Sequence, residues 1–69
     1  MTTARAYQKA LTAAANAAVR RDGEAFNTAD TAAIEAERAF EAAGLCSFDF
    51  PAVRKAEGKY HNARTAAGF

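Results

Sequence analysis

The stretch that decides the fold runs from Asp22 to Gly44 and reads DGEAFNTADTAAIEAERAFEAAG. Apolar residues recur in it at alternating spacings of three and four, which is the period of one face of an α-helix. Asp22 is a good N-terminal cap, and Gly44 is a natural C-terminal stop. The pattern predicts a helix over residues 23–43, with an apolar stripe made of Phe26, Ala29, Ala33, Ala36, Phe40 and Ala43.

Three further alanines, Ala25, Ala32 and Ala39, lie beside this stripe. At about 100° per residue they widen the apolar arc of the helix to roughly 140°. An arc of that width suits a helix that touches two neighbours. We therefore expect the helix over residues 23–43 to be the central one.

The same period appears on both sides of this stretch and predicts helices over residues 3–21 and 50–66. Between the first two helices, Asp22-Gly23 predicts a tight break in which glycine takes a left-handed backbone. Before the third helix, Pro51 fits the first turn and Asp49 or Ser47 is the expected cap. The flanking apolar stripes are Ala4, Tyr7, Leu11, Ala14 and Ala18, and then Val53, Ala56, Tyr60, Ala63 and Ala67.

Short links between long helices make neighbouring helices antiparallel. Alanine is the commonest residue and the best helix former, while candidate strand segments are absent. The sequence therefore predicts an all-α fold, a three-helix antiparallel bundle with an alanine-rich, closely packed core. At 69 residues the chain is expected to form one domain over residues 1–69.

The sequence contains one cysteine and one histidine, so an intrachain disulfide is impossible and a zinc site is not expected. Cys46 is interpreted as a small buried hydrophobe rather than a nucleophile, and His61 as a solvated surface residue. No catalytic residues, metal site or cofactor are predicted, and the chain is not expected to be an enzyme.

Charge is segregated along a chain whose formal net charge is only +1. Residues 23–43 hold five of the eight acidic residues, and the flanking segments hold eight of the nine basic ones. Complementarity between packed helices is the favoured interpretation, with recognition of a partner as the alternative. No segment has the length and hydrophobicity of a membrane span or the apolar core of a signal peptide, so a cytoplasmic location and no membrane partner are expected.

Two surface features indicate a protein partner. Ile34 lies opposite the apolar stripe of its helix, among Asp30, Glu37, Arg38 and Glu41, and an apolar anchor in a polar rim is typical of contact surfaces. The connection before the third helix is unusually aromatic, with Phe48 and Phe50 close to Arg54. The predicted partner-binding residues are Ile34, Asp30, Glu37, Glu41, Phe48, Phe50 and Arg54.

These observations favour a small non-enzymatic protein-binding module that acts as an inhibitor, regulator or adaptor of a larger complex. Alanine and arginine usage suggests a bacterial or phage source, and a phage or mobile-element anti-defence protein (anti-CRISPR-like) is one concrete member of the class. A self-assembling structural element, such as a homodimer, is a further alternative. Nucleic-acid binding through the basic outer faces of helices one and three is another, with Arg20, Arg21, Arg54, Lys55, Lys59 and Arg64 as its contact residues.

Overall fold

The computed structural model describes residues 2–69 and confirms an all-α, three-helix bundle. Its helices are α1 (Thr2–Val19), α2 (Gly23–Ala42) and α3 (Pro51–Ala67), and a 3₁₀ turn over Ser47–Asp49 precedes α3. No strand is present over residues 2–69. None of the helices in that range is long and apolar enough to cross a membrane.

The central helix is α1, so the prediction that the 23–43 helix is central was wrong. α1 packs against both α2 and α3, whereas over residues 2–69 no Cα atom of α2 comes within 8 Å of one in α3. Neighbouring alanines explain this role, because small side chains on adjacent faces let two helix axes approach α1 closely. The buried residues of α1 include the whole predicted stripe together with Ala15 and Ala17: they are Ala4, Tyr7, Leu11, Ala14, Ala15, Ala17 and Ala18.

The buried face of α2 is narrower than its sequence pattern predicts. Phe26, Ala33 and Phe40 are buried, at a spacing of seven residues. Ala32 and Ala39, which were expected to widen the apolar arc, are exposed. So is Ala43, the last residue of the predicted stripe, which lies just after the helix. Along this stripe the backbone of α2 closely approaches that of α1, and the two phenylalanine rings at its ends reach residues of the α3 region.

Aromatic rings fill the space that the backbones of α2 and α3 leave open. At one end of the bundle, Phe40 packs against Tyr7 and Phe50, with ring centroids 5.2 and 5.6 Å apart. At the other end, Phe26 packs against Tyr60 and Phe69, at 6.2 and 4.8 Å. These contacts show that α2 runs antiparallel to α3, and the contact with Phe69 packs the end of α3, which continues to Ala67, against α2.

Each of the three helices ends with the same two backbone hydrogen bonds. A left-handed residue donates to the carbonyl three residues before it, and the next residue donates to the carbonyl five residues before itself. Gly44 and Gly68 take that position after α2 and α3, at φ values of 73° and 79°. After α1 the residue is Arg21, at φ 56°, so the prediction of a left-handed Gly23 was wrong. The turn closes two residues earlier than expected, because the N–H groups of Arg21 and Asp22 bond the carbonyls of Ala18 and Ala17.

The starts of α2 and α3 differ. Asp22 caps α2 as predicted, since its side chain accepts a hydrogen bond of 3.1 Å from the N–H of Ala25. At α3 neither Ser47 nor Asp49 is the cap, because both belong to the preceding 3₁₀ turn and Phe50 occupies the capping position without a side-chain bond. Pro51 stands at the first position of α3, as expected.

Cys46 is exposed, so its interpretation as a buried hydrophobe was wrong. The connection buries other residues instead: Leu45 and Phe50 are half-buried and pack against the core. The N–H of Leu45 also bonds the carbonyl of Phe40, which fixes the chain's direction just before Cys46 and leaves the thiol facing solvent.

Candidate functional site

A groove of about 330 Å³ runs between α2 and α3, and α1 contributes to its floor. It exists because α2 and α3 each pack on α1 without their backbones meeting. Among its lining residues, Leu11, Ala33 and the ring of Tyr7 are buried and form the apolar part of its floor, to which the Tyr7 hydroxyl adds one polar group. The remaining lining residues are polar or partly exposed, and form the walls: Asp30, Ile34 and Glu37 on α2, and Glu57, Tyr60, His61 and Arg64 on α3.

Tyr7 joins the two walls of this groove from below. Its ring is buried, and its hydroxyl lies 2.8 Å from a carboxylate oxygen of Glu57 on α3 and 3.3 Å from one of Glu37 on α2. Burial of the phenol, reinforced by the two carboxylates, raises the pKa of Tyr7 well above its ordinary value of about 10. Tyr7 is therefore a neutral donor that both carboxylates approach.

Tyr60 makes the equivalent connection from α3 to α2. Its hydroxyl donates a hydrogen bond to Asp30. Burial of the phenol, followed by the bond to Asp30 and its negative charge, raises the pKa of Tyr60, while Arg64 acts in the opposite direction. The exposed ring of His61 lies edge-on to Tyr60, with centroids 5.1 Å apart. Arg64 is therefore a cationic side chain close to Tyr60 at this end of the groove.

Three of the predicted contact residues come together in the groove. Asp30, Ile34 and Glu37 lie along its α2 wall, and Ile34 keeps 44% of its surface exposed. Glu41 lies farther along the same face, where it lines a contiguous cavity of about 200 Å³ with Glu37 and Glu57. The four residues form one stripe on α2 because they recur at helical spacing.

The predicted aromatic corner divides into an exposed part and a packed part. Phe48 is 72% exposed, and the guanidinium carbon of Arg54 lies 4.5 Å from the centre of its ring. Phe50 is half-buried and packs edge-on against Phe40. Phe48 and Arg54 are therefore available at the surface, whereas much of Phe50 belongs to the core.

The basic residues that support nucleic-acid binding are spread over the molecule, which is 32 Å long. Arg20 and Arg21 lie in the turn after α1, at the end where α3 finishes. Arg54 and Lys55 lie near the start of α3, towards the opposite end, and Lys59 lies one turn after Lys55. Arg64 lies farther along α3 and lines the groove. The structure does not gather these side chains into one patch.

The segregated charges do not pair as helix complementarity predicts. Arg5 and Lys9 are exposed and line a shallow surface with Gln8, Thr12 and Asn16, on the side of α1 turned away from the groove. The acidic stripe of α2 instead faces a wall of α3 that itself contains Glu57. Arg64 is the basic residue that α3 contributes to that cavity.

Sequence reasoning missed Tyr7, Glu57, His61 and Arg64 as parts of this site. The last three share one face of α3. A helical-wheel projection of that helix alone places this face towards solvent, because it contains no information on the position of α2. A usable signal was present in the tyrosines: a buried tyrosine hydroxyl generally has a hydrogen-bond partner, so two tyrosines in apolar stripes predict polar groups close by.

The groove is not arranged as a metal centre, since no group of three or more His, Cys, Asp or Glu side chains within the described part of the chain is placed to hold a metal ion. No protein-family model matches the chain, and neither a curated protein sequence nor a solved structure matches it significantly. The geometry of the groove is therefore the basis for a functional proposal.

Proposed function

We propose that this chain is a small non-enzymatic protein-binding module, an inhibitor, regulator or adaptor of a larger complex, whose contact surface is the groove between α2 and α3. The observation that carries the proposal is the position of Ile34. It is a 44% exposed apolar side chain on the rim of a concave surface with an apolar floor and polar walls. Contact surfaces combine an apolar centre with a polar rim in this way.

The arrangement of carboxylates supports binding rather than catalysis. Acid–base catalysis by a carboxyl pair requires that one of the two be strongly desolvated. In this groove Glu37 is exposed and Glu57 is half-buried, and both lie beside a neutral tyrosine hydroxyl. Such carboxylates are suited to making hydrogen bonds and ion pairs with a docked chain.

The proposal is tested by affinity capture from bacterial lysate with the wild-type chain and two variants. Ile34→Arg places a bulky charge on the groove rim and is expected to abolish capture of the specific partner. Val19→Arg is the matched control, because Val19 is another exposed apolar residue, 70% accessible, at the end of α1 and outside the groove. Equal capture by all three folded proteins would refute the groove as the contact surface.

A narrower form of the proposal is an anti-defence protein of phage or mobile-element origin. In this form the partner is a subunit of a bacterial defence complex. Expression of the chain in bacteria that carry an active defence complex is then expected to restore plaque formation by a targeted phage. The Ile34→Arg variant is expected to lose this activity, and Val19→Arg to keep it. If neither the wild-type chain nor Val19→Arg restores plaque formation in any defence background, the narrower form is refuted and the general proposal stands.

A further inference from the structure

The groove between α2 and α3 has two chemically different ends. At the end that contains Asp30, the lining also includes Arg64 and His61, both of which lie close to Tyr60. At the other end, the contiguous cavity is lined by Glu37, Glu41 and Glu57 together with Tyr7, Phe40, Leu45, Cys46 and Ser47. The ionic side chains of that cavity are all carboxylates, so negative charge accumulates at one end of a groove whose floor is apolar.

At the acidic end, the single proton of the Tyr7 hydroxyl cannot satisfy both neighbouring carboxylates. A phenol has one O–H, so its proton is donated to one carboxylate at a time, although Glu57 and Glu37 lie 2.8 and 3.3 Å from the same oxygen. The carboxylate that does not receive this proton has its acceptor sites open to an external donor. Because the two carboxylates come from opposite walls, a donor that entered the groove between them would contact both.

The chemistry that satisfies two such carboxylates is a cationic side chain. Lysine offers three donors and arginine five, and charge-assisted bonds to carboxylates are about twice as strong as neutral ones. Ile34 lies three residues before Glu37, about 4.5 Å along the helix axis at 1.5 Å per residue. The groove therefore presents an apolar contact and an anionic contact about one helical turn apart.

We propose that the groove binds a basic, amphipathic peptide segment of the partner protein. The segment places one lysine or arginine between Glu37 and Glu57, above the Tyr7 hydroxyl, and an apolar side chain against Ile34 and the floor residue Leu11. This inference rests on the proposed function and adds the chemical class of the partner. Charge complementarity selects this occupant, because an acidic peptide or a nucleic acid would bring like charge to the three glutamates.

The test uses a displayed random peptide library, selected for binding to the 69-residue chain and counter-selected against a Glu37→Gln/Glu57→Gln double variant. Glutamine keeps a carbonyl oxygen that accepts the Tyr7 hydrogen bond, so the variant removes charge while the local geometry is retained. We expect selected peptides to carry a lysine or arginine within one helical turn of a large apolar residue.

Affinity measurements on synthetic versions of the selected peptides complete the test. The dissociation constant is expected to rise at least about tenfold for the double variant, as is found when one side of a desolvated charge pair is removed. A Glu24→Gln/Glu35→Gln double variant is the matched control: both residues are exposed on α2, outside the lining of the groove, and the same net charge is removed. The dissociation constant of the control is expected to stay within about twofold of the wild-type value, because solvent and salt largely screen exposed charges that do not line the groove.

Several outcomes would overturn the proposal. Enrichment of acidic or uncharged peptides would do so, as would binders that respond equally to both double variants, or a library that yields no binders. Light scattering supplies a further outcome: self-association of the wild type that is lost in Arg5→Glu/Lys9→Glu would show that the occupant is the basic face of a second copy. In lysate capture, loss of the partner with Ile34→Arg but not with Glu37→Gln/Glu57→Gln would leave the proposed function standing and remove the cationic occupant.

Discussion

The hydroxyl of Tyr7 on α1 lies 2.8 Å from a carboxylate oxygen of Glu57 on α3 and donates a hydrogen bond to it. The bond ties the central helix to one wall of the groove, and the pairing of Tyr60 with Asp30 ties α3 to the other. Both phenols are mostly buried, and both face carboxylates. The two tyrosines of the chain therefore connect the packing of the bundle to the shape of its candidate site.

The first prediction concerns alkaline pH. Both tyrosines have folded-state pKa values raised above the ordinary value of about 10, so the unfolded chain releases these protons first. The stability they contribute is complete below pH 10 and is lost as pH rises above it. Each tyrosine is expected to lower the free energy of unfolding progressively as pH rises from 10 towards its folded-state pKa, because only the unfolded chain is ionised over that interval.

Urea unfolding across this pH range measures the effect, and tyrosinate absorbance follows ionisation. Tyrosinate is expected to appear together with unfolding rather than before it. Tyr7→Phe is the control, because it removes one of the two contributions and leaves the titration of the lysines unchanged. Ionisation of both tyrosines near pH 10 in the still-folded protein would contradict the prediction.

The second prediction tests which helix is central. Ala15 on α1 is fully buried, whereas its neighbour Ala13 and Ala32 on α2 are exposed. Ala15→Leu is expected to lower the free energy of unfolding by about 1–3 kcal/mol through overpacking, and Ala13→Leu and Ala32→Leu to change it by less than about 0.5 kcal/mol. Denaturant midpoints of the three variants measure this, and an equal cost at Ala32 would restore α2 as the central helix.

The alanines also show where sequence reasoning reached its limit. The apolar period predicted three helices and most of their buried faces, because period depends on local geometry alone. The apolar period could not predict that Ala15 and Ala17 are more buried than Ala32 and Ala39, since all four are small apolar residues beside a stripe. Their burial depends on where the third helix docks, which is a tertiary property.

The two walls of the groove could be predicted from the sequence, but their meeting in one cavity could not. The face of α2 that contains Ile34 could be recognised from the sequence, and so could the face of α3 that contains Glu57 and His61. That the two faces line one cavity depends on the separation of the α2 and α3 backbones. A helical wheel describes one helix and contains no information on that separation.

The third prediction concerns the backbone of Arg21. Arg21 has the left-handed conformation that glycine adopts at the equivalent positions Gly44 and Gly68. A side chain in that conformation costs about 1–2 kcal/mol, so Arg21→Gly is expected to stabilise the chain by about 1 kcal/mol despite the greater freedom of glycine in the unfolded state. Thermal unfolding measures the change. Arg20→Gly, at a residue with negative φ, is the control and is expected to be neutral or destabilising; equal effects at both positions would contradict the argument.

The fourth prediction separates the two phenylalanines that precede α3. Phe50 packs against Phe40, so Phe50→Ala is expected to lower the free energy of unfolding by about 2 kcal/mol. Phe48 is 72% exposed, and Phe48→Ala is expected to change it by less than about 0.5 kcal/mol. Chemical denaturation distinguishes the two. If the order is reversed, the packing of this corner differs from that described; if it holds, Phe48→Ala is the variant that tests partner contact here without disturbing the fold.

The fifth prediction addresses nucleic-acid binding. Phosphate contacts release counterions, so a binding protein with several of them shows affinity that falls steeply with salt. In this chain Arg20 and Arg21 lie at one end and Arg54 and Lys55 near the other, while carboxylates line the groove between α2 and α3. We expect weak retention on immobilised duplex DNA or RNA. As the salt concentration is raised, this retention should disappear before about 0.15 M is reached, with a shallow salt dependence.

Two charge-removal variants make this measurement decisive. Arg20→Ala/Arg21→Ala and Lys55→Ala/Lys59→Ala each remove two cations from separate parts of the surface. A protein that used all of them on one phosphate backbone would lose about two units of salt slope with either variant. Firm retention above physiological salt, together with that loss, would make the basic residues the functional surface and displace the groove. Weak retention that both variants leave nearly unchanged is the expected result, because no shared patch holds these side chains together.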